Sequence, residues 1–211
     1  MLVVGIAGGS GAGKTTVARS IAEKLGKENV AYISQDWYYL DRSHLPLEER
    51  KQMNMDHPNA FDSELLISHL TQMRQGATID VPTYEYGQYT RGSATFPLAP
   101  QSVVLLEGIL VLAIPEVREA LDFKVFVDAD ADIRLIRRMN RDIHERGISY
   151  DDTINRYLST VRPAHEAFVE PSKRYADLII PRGGDNEIAT NLLADLVEHY
   201  AVHKPQNNKH T

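Results

Sequence analysis

The chain has 211 residues, 43% of them hydrophobic, and a formal net charge of −6. We expect one α/β domain over residues 1–211, and the acidic balance argues against a nucleic-acid partner, which requires a basic surface. Cysteine is absent, which excludes disulfides and thiolate metal sites. No apolar run approaches the roughly 20 residues of a membrane span, and the N-terminus begins with a core strand, so we expect a soluble, cytoplasmic protein without membrane contacts.

The first apolar run, residues 2–7, precedes a glycine-rich segment and a helical pattern that includes Val17, Ile21 and Leu25. The segment matches the phosphate-loop pattern GxxxxGK[ST] at every position, with residues Gly8, Gly9, Ser10, Gly11, Ala12, Gly13, Lys14 and Thr15. Between a strand and a helix N-terminus, backbone N–H groups can surround phosphate oxygens. The alternative is a glycine-rich turn that only connects the two elements.

We predict that this loop, together with Thr16, binds a nucleoside triphosphate. Lys14 would reach the β- and γ-phosphates, and the Thr15 hydroxyl would ligate Mg²⁺.

Further strand-like runs occur at 30–33, 103–106, 123–127 and 178–180, with helical patterns between most of them. This alternation predicts βαβ units and a parallel sheet, and with the phosphate loop it predicts a P-loop NTPase-type three-layer sandwich.

One segment departs from the alternation of strands and helices. Residues 79–97 contain prolines, glycines and several tyrosines, which predict a small β-excursion from the main sheet. A helix after Asn186 is predicted from Ile188, Leu192, Leu193, Leu196 and Val197, and one with Asp62 or Ser63 as its N-cap from Leu65, Leu66, Leu70 and Met73. The polar end, residues 204–211, is expected to fray.

Two acidic residues follow predicted strands. Asp36 comes after the second strand, beside the phosphate loop, where a carboxylate can accept the proton of an attacking hydroxyl. A helix-capping or turn aspartate is the alternative. Glu107 ends the third apolar run before Gly108, from where it can hold Mg²⁺ directly or through water.

A densely charged segment, approximately residues 130–148, follows the fourth apolar run. Such segments are usually solvated helix faces, but this one follows a core strand and contains five arginines: Arg134, Arg137, Arg138, Arg141 and Arg146. Guanidinium groups suit phosphate recognition, so we favour a lid that closes arginines over a transferring phosphoryl group.

Eight short segments, in order, resemble the uridine/cytidine kinases over roughly residues 2–200. They are GIAGGSGAGKTT, ISQDWYY, MDHPNAFD, VPTYEY, LLEGILVL, FVDADADIRLIRR, RDIHERG and KRYADLIIPRGGDN. The resemblance implies transfer of the γ-phosphoryl group of ATP or GTP to the 5′-hydroxyl of a pyrimidine ribonucleoside, with Mg²⁺, and a homotetramer.

The resemblance also implies individual roles. Asp36 matches the general base; Lys14, Thr15 and Glu107 match phosphate and Mg²⁺ ligands; and Asp56 matches the carboxylate that binds ribose hydroxyls. Other matches are Arg138 near the sugar, Arg141 and Arg146 in the lid, and Tyr39, Tyr84 and Tyr86 on the walls of the nucleoside pocket. Ordinary packing is the alternative for the tyrosines.

Three departures from the family fall near the nucleoside pocket. Tyr89 stands where many members have histidine, Ile148 where they often have arginine, and Arg156 where glutamine is common. Tyr89 and Ile148 remove groups that could donate to the uracil 4-oxygen, and a tyrosine hydroxyl can accept from the cytosine amino group, so we predict a bias toward cytidine.

Two rival functions remain open: a phosphate-loop kinase for another small hydroxyl acceptor, and a non-catalytic nucleotide-binding regulatory protein. Arg182, followed by Gly183 and Gly184 after the last strand, could contact the donor purine or belong to an ordinary turn.

Overall fold

The structure is a computed structural model, and residues 1–202 are described; the predicted frayed end lies outside them. The described residues form seven strands: β1 (Leu2–Ala7), β2 (Val30–Ser34), β3 (Ile79–Glu85), β4 (Thr90–Leu98), β5 (Val103–Glu107), β6 (Phe123–Val127) and β7 (Leu178–Ile180). Five of them form a parallel sheet in the order β2-β5-β1-β6-β7. These are the five strands predicted from apolar runs, because strands buried on both faces are apolar at nearly every position.

The helices of the described residues are α1 (Lys14–Leu25), α2 (Leu47–Gln52), α3 (Ser63–Arg74), α4 (Pro115–Glu119), α5 (Ala131–His144), α6 (Tyr150–Arg156), α7 (Arg162–Ala164), α8 (Glu170–Ser172) and α9 (Glu187–Val202). Asp62 is the N-cap of α3, where its side chain accepts from the Leu65 backbone N–H at 3.1 Å. Wider helical turns at Tyr157–Val161 and His165–Val169 join α6, α7 and α8 into one helical stretch. Such wide turns are frequent at functional sites.

The main sheet lies between two layers, each with its own apolar cluster. Along β1, Val4 and Ile6 pack with α1 and α9, whereas Val3 and Ala7 pack on the opposite face with residues of α3 and β3. Fully burying one such aliphatic side chain contributes about 1.5–3 kcal/mol. The predicted three-layer α/β fold is therefore confirmed.

Helix α9 agrees with the predicted helical pattern, but its apolar residues are not all in the core. Leu193 and Val197 are buried, whereas Ile188 and Leu192 are 73% and 63% exposed. The helical spacing therefore predicted the element, and the fold shows which of its apolar residues are buried.

The predicted β-excursion is an antiparallel hairpin of β3 and β4. Ile79 and Val81 anchor it in the core, and the pairing register shifts between Pro82 and Tyr84. A register shift of this kind bends a strand. The hairpin's far end therefore reaches the carboxyl edge of the main sheet, where Tyr86 contacts Asp36.

The segments with predicted functional residues lie together at the carboxyl edge of the sheet. The phosphate loop follows β1, Asp36 follows β2, Glu107 ends β5 and α5 follows β6. Ligands of open α/β sheets bind at this edge. None of the helices in residues 1–202 combines the length and the apolar character needed to cross a membrane.

Candidate active site

The phosphate loop has the main-chain geometry that its glycines permit. Gly8 and Gly13 have φ values of +145° and +95°. A Cβ atom at Gly8 would clash with the backbone oxygen of Val127, and one at Gly13 would lie 2.6 Å from the backbone nitrogen of Gly184. Only glycine tolerates both the conformation and the close approach.

Lys14 begins α1 and is buried in the site, where its Nζ donates to the Gly9 carbonyl at 3.1 Å. Burial lowers the pKa of the Lys14 ammonium, although the nearby carboxylates of Glu107 and Asp36 oppose this effect. A buried cation with one neutral acceptor lacks a full counter-charge, so this position favours an anionic ligand.

Asp36 lies in a short helical turn, Gln35–Tyr38, directly after β2. The hydroxyl of Tyr86 donates to its Oδ2 atom at 3.1 Å. This contact joins the main sheet to the far end of the β3–β4 hairpin, and it orients the carboxylate that the sequence singled out as a base.

Glu107 is buried at the end of β5, and Tyr32 and Ser34 of the neighbouring strand donate to its Oε1 atom at 2.9 and 3.3 Å. Burial raises the pKa of this carboxyl. Within residues 1–202 no hydrogen bond to Oε2 occurs. A fixed carboxylate with one free oxygen, in the same cavity as the Thr15 hydroxyl, fits Mg²⁺, which takes one or two protein oxygens and completes its shell with phosphate and water.

One cavity of about 570 Å³ brings together most of the predicted site residues, but Gly8, Gly9, Gly11, Ala12 and Gly13 of the phosphate loop are not part of its lining. Its lining includes Ser10, Lys14, Thr15, Asp36, Tyr39, Asp56, Tyr84, Tyr86, Tyr89, Glu107, Arg138, Arg141 and Arg146. Cavities of about 300–1,000 Å³ are typical for small-molecule ligands. The residues predicted for the triphosphate and for the acceptor therefore share one space.

The acceptor part of the cavity has an aromatic wall. Tyr39 stacks on Phe61, with ring centroids 4.2 Å apart, and lies 4.7 Å from Tyr84. Asp56 lines the same space, and burial raises the pKa of its carboxyl. An aromatic wall with one carboxylate suits a ligand that has both a flat ring and adjacent hydroxyl groups.

The three residues that depart from the resembled family, Tyr89, Ile148 and Arg156, also line the cavity. Tyr89 has a φ of +52°, which is unusual for a bulky residue. The Arg156 guanidinium lies 4.4 Å from the centre of the Tyr89 ring and donates through Nη2 to the Lys51 carbonyl at 3.1 Å. Two of the departures are therefore in direct contact.

Arg182 and Thr16 lie apart from this lining. Arg182 is exposed and has a φ of +65°, and Thr16 is exposed near the start of α1. The glycines after Arg182 contact the phosphate loop, because Gly184 donates to the Ala12 carbonyl at 3.1 Å. A role for Arg182 in nucleotide binding stays a prediction.

Several residues of the site were not selected from the sequence. Asp142 is only 1% exposed although it lies in the charged segment, and Tyr32 and Ser34 support Glu107. Ser159, Thr160 and Val161, in the first wide helical turn, also line the cavity. Pro163 has no N–H to donate to the carbonyl of Ser159, four residues earlier, so the sequence did carry a signal for an irregular helical turn here. Asp142 differs from its charged neighbours only in burial.

The chain is similar in sequence to proteins of known families. The model of the phosphoribulokinase/uridine kinase family matches residues 3–189. A uridine kinase of Geobacillus kaustophilus is 52% identical over 192 residues, 91% of each chain, and one of Bacillus velezensis is 51% identical over 197 residues, 93% of each chain.

Solved structures show the same fold at low identity. A phosphoribulokinase from Rhodobacter spheroides has a TM-score of 0.64 at 14% identity, covering 85% of this chain and 69% of that one. A possible uridine kinase from Bacillus stearothermophilus has a TM-score of 0.58 at 21% identity, covering 85% and 88%.

Proposed function

The chain belongs to the phosphoribulokinase/uridine kinase family and is an ATP-dependent kinase, and we propose that its acceptor is the 5′-hydroxyl of a pyrimidine ribonucleoside. The observation that carries the proposal is the shared cavity, which Asp36 lines together with Lys14 and Thr15 of the phosphate loop and with Asp56 and the tyrosines. A nucleoside in that space would present its sugar to the two carboxylates and its base to the aromatic wall.

The chemistry that we propose follows from the positions of the charged groups. Asp36, held by Tyr86, accepts the proton of the 5′-hydroxyl as that oxygen attacks the γ-phosphorus. The bond between the γ-phosphorus and the β–γ bridging oxygen breaks, and ADP leaves. Lys14 and the arginines at 138, 141 and 146 stabilise the charge that develops on the transferred phosphoryl group. Mg²⁺, held by Thr15 and Glu107, would neutralise the β- and γ-phosphate oxygens.

Asp56 supports selection for ribose within this proposal. A carboxylate can accept hydrogen bonds from both vicinal hydroxyls of ribose, whereas a 2′-deoxy sugar leaves it partly unsatisfied. An unmade hydrogen bond to a buried charged group costs about 1.5–3 kcal/mol, so we expect kcat/KM for 2′-deoxynucleosides to fall by at least tenfold.

Within the pyrimidines we propose a bias toward cytidine. The Tyr89 hydroxyl can accept from the cytosine amino group, and Ile148 offers no donor to a uracil oxygen. Arg156 can only donate, but it is stacked on Tyr89 and bonded to the Lys51 carbonyl. We therefore expect Tyr89→His to raise kcat/KM for uridine relative to cytidine, with Arg156→Gln as the matched variant that tests the guanidinium alone.

The wider context belongs to the same proposal. It places the protein in pyrimidine salvage in the cytoplasm, as a homotetramer of single-domain chains. Its phosphoryl donor is ATP or GTP, and Thr16 and Arg182 contribute to nucleotide binding. The two rival functions are tested together with it. A kinase for another hydroxyl acceptor would ignore nucleosides, and a regulatory module would bind ATP without turnover.

The deciding experiment is ADP release in the presence of Mg²⁺ and a panel of acceptors. The panel should contain cytidine, uridine, their 2′-deoxy forms, purine nucleosides and small sugar alcohols. We expect turnover with cytidine and uridine and a higher kcat/KM for cytidine. Turnover confined to a non-nucleoside would overturn the acceptor assignment, and equal values or a uridine excess would overturn the cytidine bias.

A further inference from the structure

Asp142 on α5 is a buried carboxylate surrounded by guanidinium groups. Its side chain is 2% exposed, and Oδ1 accepts from Arg141 Nε at 3.0 Å and from Arg146 Nη1 at 3.3 Å. Arg138 Nε lies 3.1 Å from Oδ2, an ion-pair distance without the direction of a hydrogen bond. Arg138 lies four residues before Asp142 on α5, the spacing that brings side chains together on a helix, and Arg146 reaches Asp142 from the turn that follows the helix.

This cluster contains more positive than negative charge. Three guanidinium groups surround one carboxylate, so two positive charges remain in excess. Arginine is always protonated, and excess charge in a poorly solvated site is costly until an anion compensates it. The carboxylate keeps the three arginines together, and the excess charge suits a triphosphate.

The Asp142 cluster touches the phosphate loop on one side. Arg138 Nη1 and Arg141 Nη2 donate to the Ser10 hydroxyl at 3.0 and 3.4 Å. Ser10 is part of the loop that we expect to surround the phosphates. Phosphate oxygens arriving there would compete for these two guanidinium groups, because a guanidinium binds a charged phosphate, frequently through two parallel hydrogen bonds, more strongly than a neutral hydroxyl.

On the other side the cluster reaches the proposed base. The Arg146 guanidinium lies 4.0 Å from the centre of the Tyr86 ring. The hydroxyl of that tyrosine donates to Asp36 Oδ2 at 3.1 Å. A continuous series of contacts therefore runs from Ser10 through Asp142 and Arg146 to Asp36.

We propose that Asp142 is a positioning residue that couples the two halves of the site. It holds the three arginines as one unit, so a triphosphate on the phosphate loop also fixes Arg146, Tyr86 and, through them, Asp36. This inference rests on the proposed function. It adds that nucleoside and nucleotide bind with positive cooperativity, which by linkage acts equally in both directions.

The test is nucleoside binding with and without a non-hydrolysable ATP analogue, measured by calorimetry on Asp142→Asn and on the unmodified protein. We expect the analogue to tighten binding to the unmodified protein by about five- to 150-fold, the usual range for coupled sites. Asp142→Asn should abolish most of that factor and lower kcat by up to about 100-fold through misplaced arginines. The readout is the coupling factor, the ratio of the two nucleoside affinities, because Asp142 itself lines the cavity.

The matched control is Asp132→Asn on the same helix, because Asp132 is exposed and its side chain accepts only from a local backbone N–H among the described residues. It should keep the full coupling factor.

Tyr86→Phe interrupts the same series of contacts at an exposed residue without burying an unpaired charge. It should lose the coupling as well, and the double variant Asp142→Asn/Tyr86→Phe should lose no more than the larger single effect.

Three outcomes decide the inference. Full coupling in Asp142→Asn, or in Tyr86→Phe if the first variant does not fold, would overturn it. Additive losses in the double variant would also overturn it. If the unmodified protein neither binds nor phosphorylates any nucleoside, the proposed function fails first and the coupling through Asp36 fails with it.

Discussion

The two halves of the proposed site, the phosphate loop for the donor and the tyrosine-lined space for the acceptor, are built in different ways. The donor half consists mostly of one contiguous loop, whose glycines bring main-chain atoms close to β6 and to the loop after β7. The acceptor half consists of side chains from several distant segments, linked by contacts such as Tyr86 to Asp36 and Arg156 to Tyr89. A main-chain site restricts backbone geometry, whereas a side-chain site can change its selectivity by single substitutions.

Asp36→Asn should give the largest effect. It keeps the size of the side chain and removes the base, so kcat should fall by about 10²–10⁴-fold. The donor half should be intact, and the Kd for ATP should change by less than about threefold, a free-energy difference under about 1 kcal/mol. Steady-state kinetics and calorimetry measure the two quantities. A mild loss of kcat would remove Asp36 from this role.

Gly8→Ala tests the donor half next. A Cβ there would clash with the Val127 carbonyl in a backbone conformation that alanine avoids. We expect a loss of stability of about 1–3 kcal/mol, with weaker ATP binding. Gly76→Ala is the control, since Gly76 also has a positive φ, +88°, but has no heavy atom within 4 Å of the added carbon. Equal losses of ATP affinity in both variants would contradict a specific loop geometry.

Tyr86→Phe should have a smaller effect on the acceptor half. It removes one hydrogen bond to Asp36 and keeps the ring under Arg146. One such bond contributes about 1 kcal/mol, which corresponds to about fivefold in kcat/KM for the nucleoside. Tyr150→Phe, an exposed residue on α6, should change nothing. An unchanged kcat/KM in Tyr86→Phe would show that Asp36 is oriented by other groups.

We expect the smallest effect in the pH profile of kcat/KM for ATP. The pH range of full activity should be narrower than the ordinary pKa values of a glutamate and a lysine would give. Burial raises the pKa of the Glu107 carboxyl, so its charged form is lost at a higher pH than for an ordinary glutamate. Burial lowers the pKa of the Lys14 ammonium, so its charge is lost at a lower pH than for an ordinary lysine. The acid limb of the profile therefore shifts to higher pH and the alkaline limb shifts to lower pH.

The narrowing is checked by the two apparent pKa values at which kcat/KM falls on the acid side and on the alkaline side, because these report groups of the free enzyme. Limbs at the ordinary values of 4.5 and 10.5 would contradict it. Lys14→Arg should move the alkaline limb outward even as activity falls, because a guanidinium stays protonated.

The difference between the two halves also explains what the sequence could predict. The phosphate loop is contiguous, so the pattern at residues 8–15 was sufficient to recognise the loop. The strands of the parallel sheet were recognisable because buried parallel strands have continuous apolar runs. The β3–β4 hairpin was recognisable from its prolines and glycines. Asp56 and the tyrosines were found only through the resemblance to a family.

Asp142 shows where sequence reasoning stopped. In a segment with arginines on every side, its carboxylate looks like one more solvated charge, but tertiary packing buries it among Arg138, Arg141 and Arg146. The contact between Tyr89 and Arg156 was likewise invisible, because residues 67 positions apart meet only in the fold. Contacts between distant segments depend on the whole topology.

The most direct test of the central claim is the position of phosphate on the product. Cytidine and uridine should be incubated with ATP and Mg²⁺, and the products resolved by phosphorus NMR against the 5′-, 3′- and 2′-monophosphates. If the sugar lies between Asp36 and the phosphate loop as we propose, the product is the 5′-monophosphate alone. Phosphate at the 2′- or 3′-position, or ATP hydrolysis without nucleotide formation, would contradict the account.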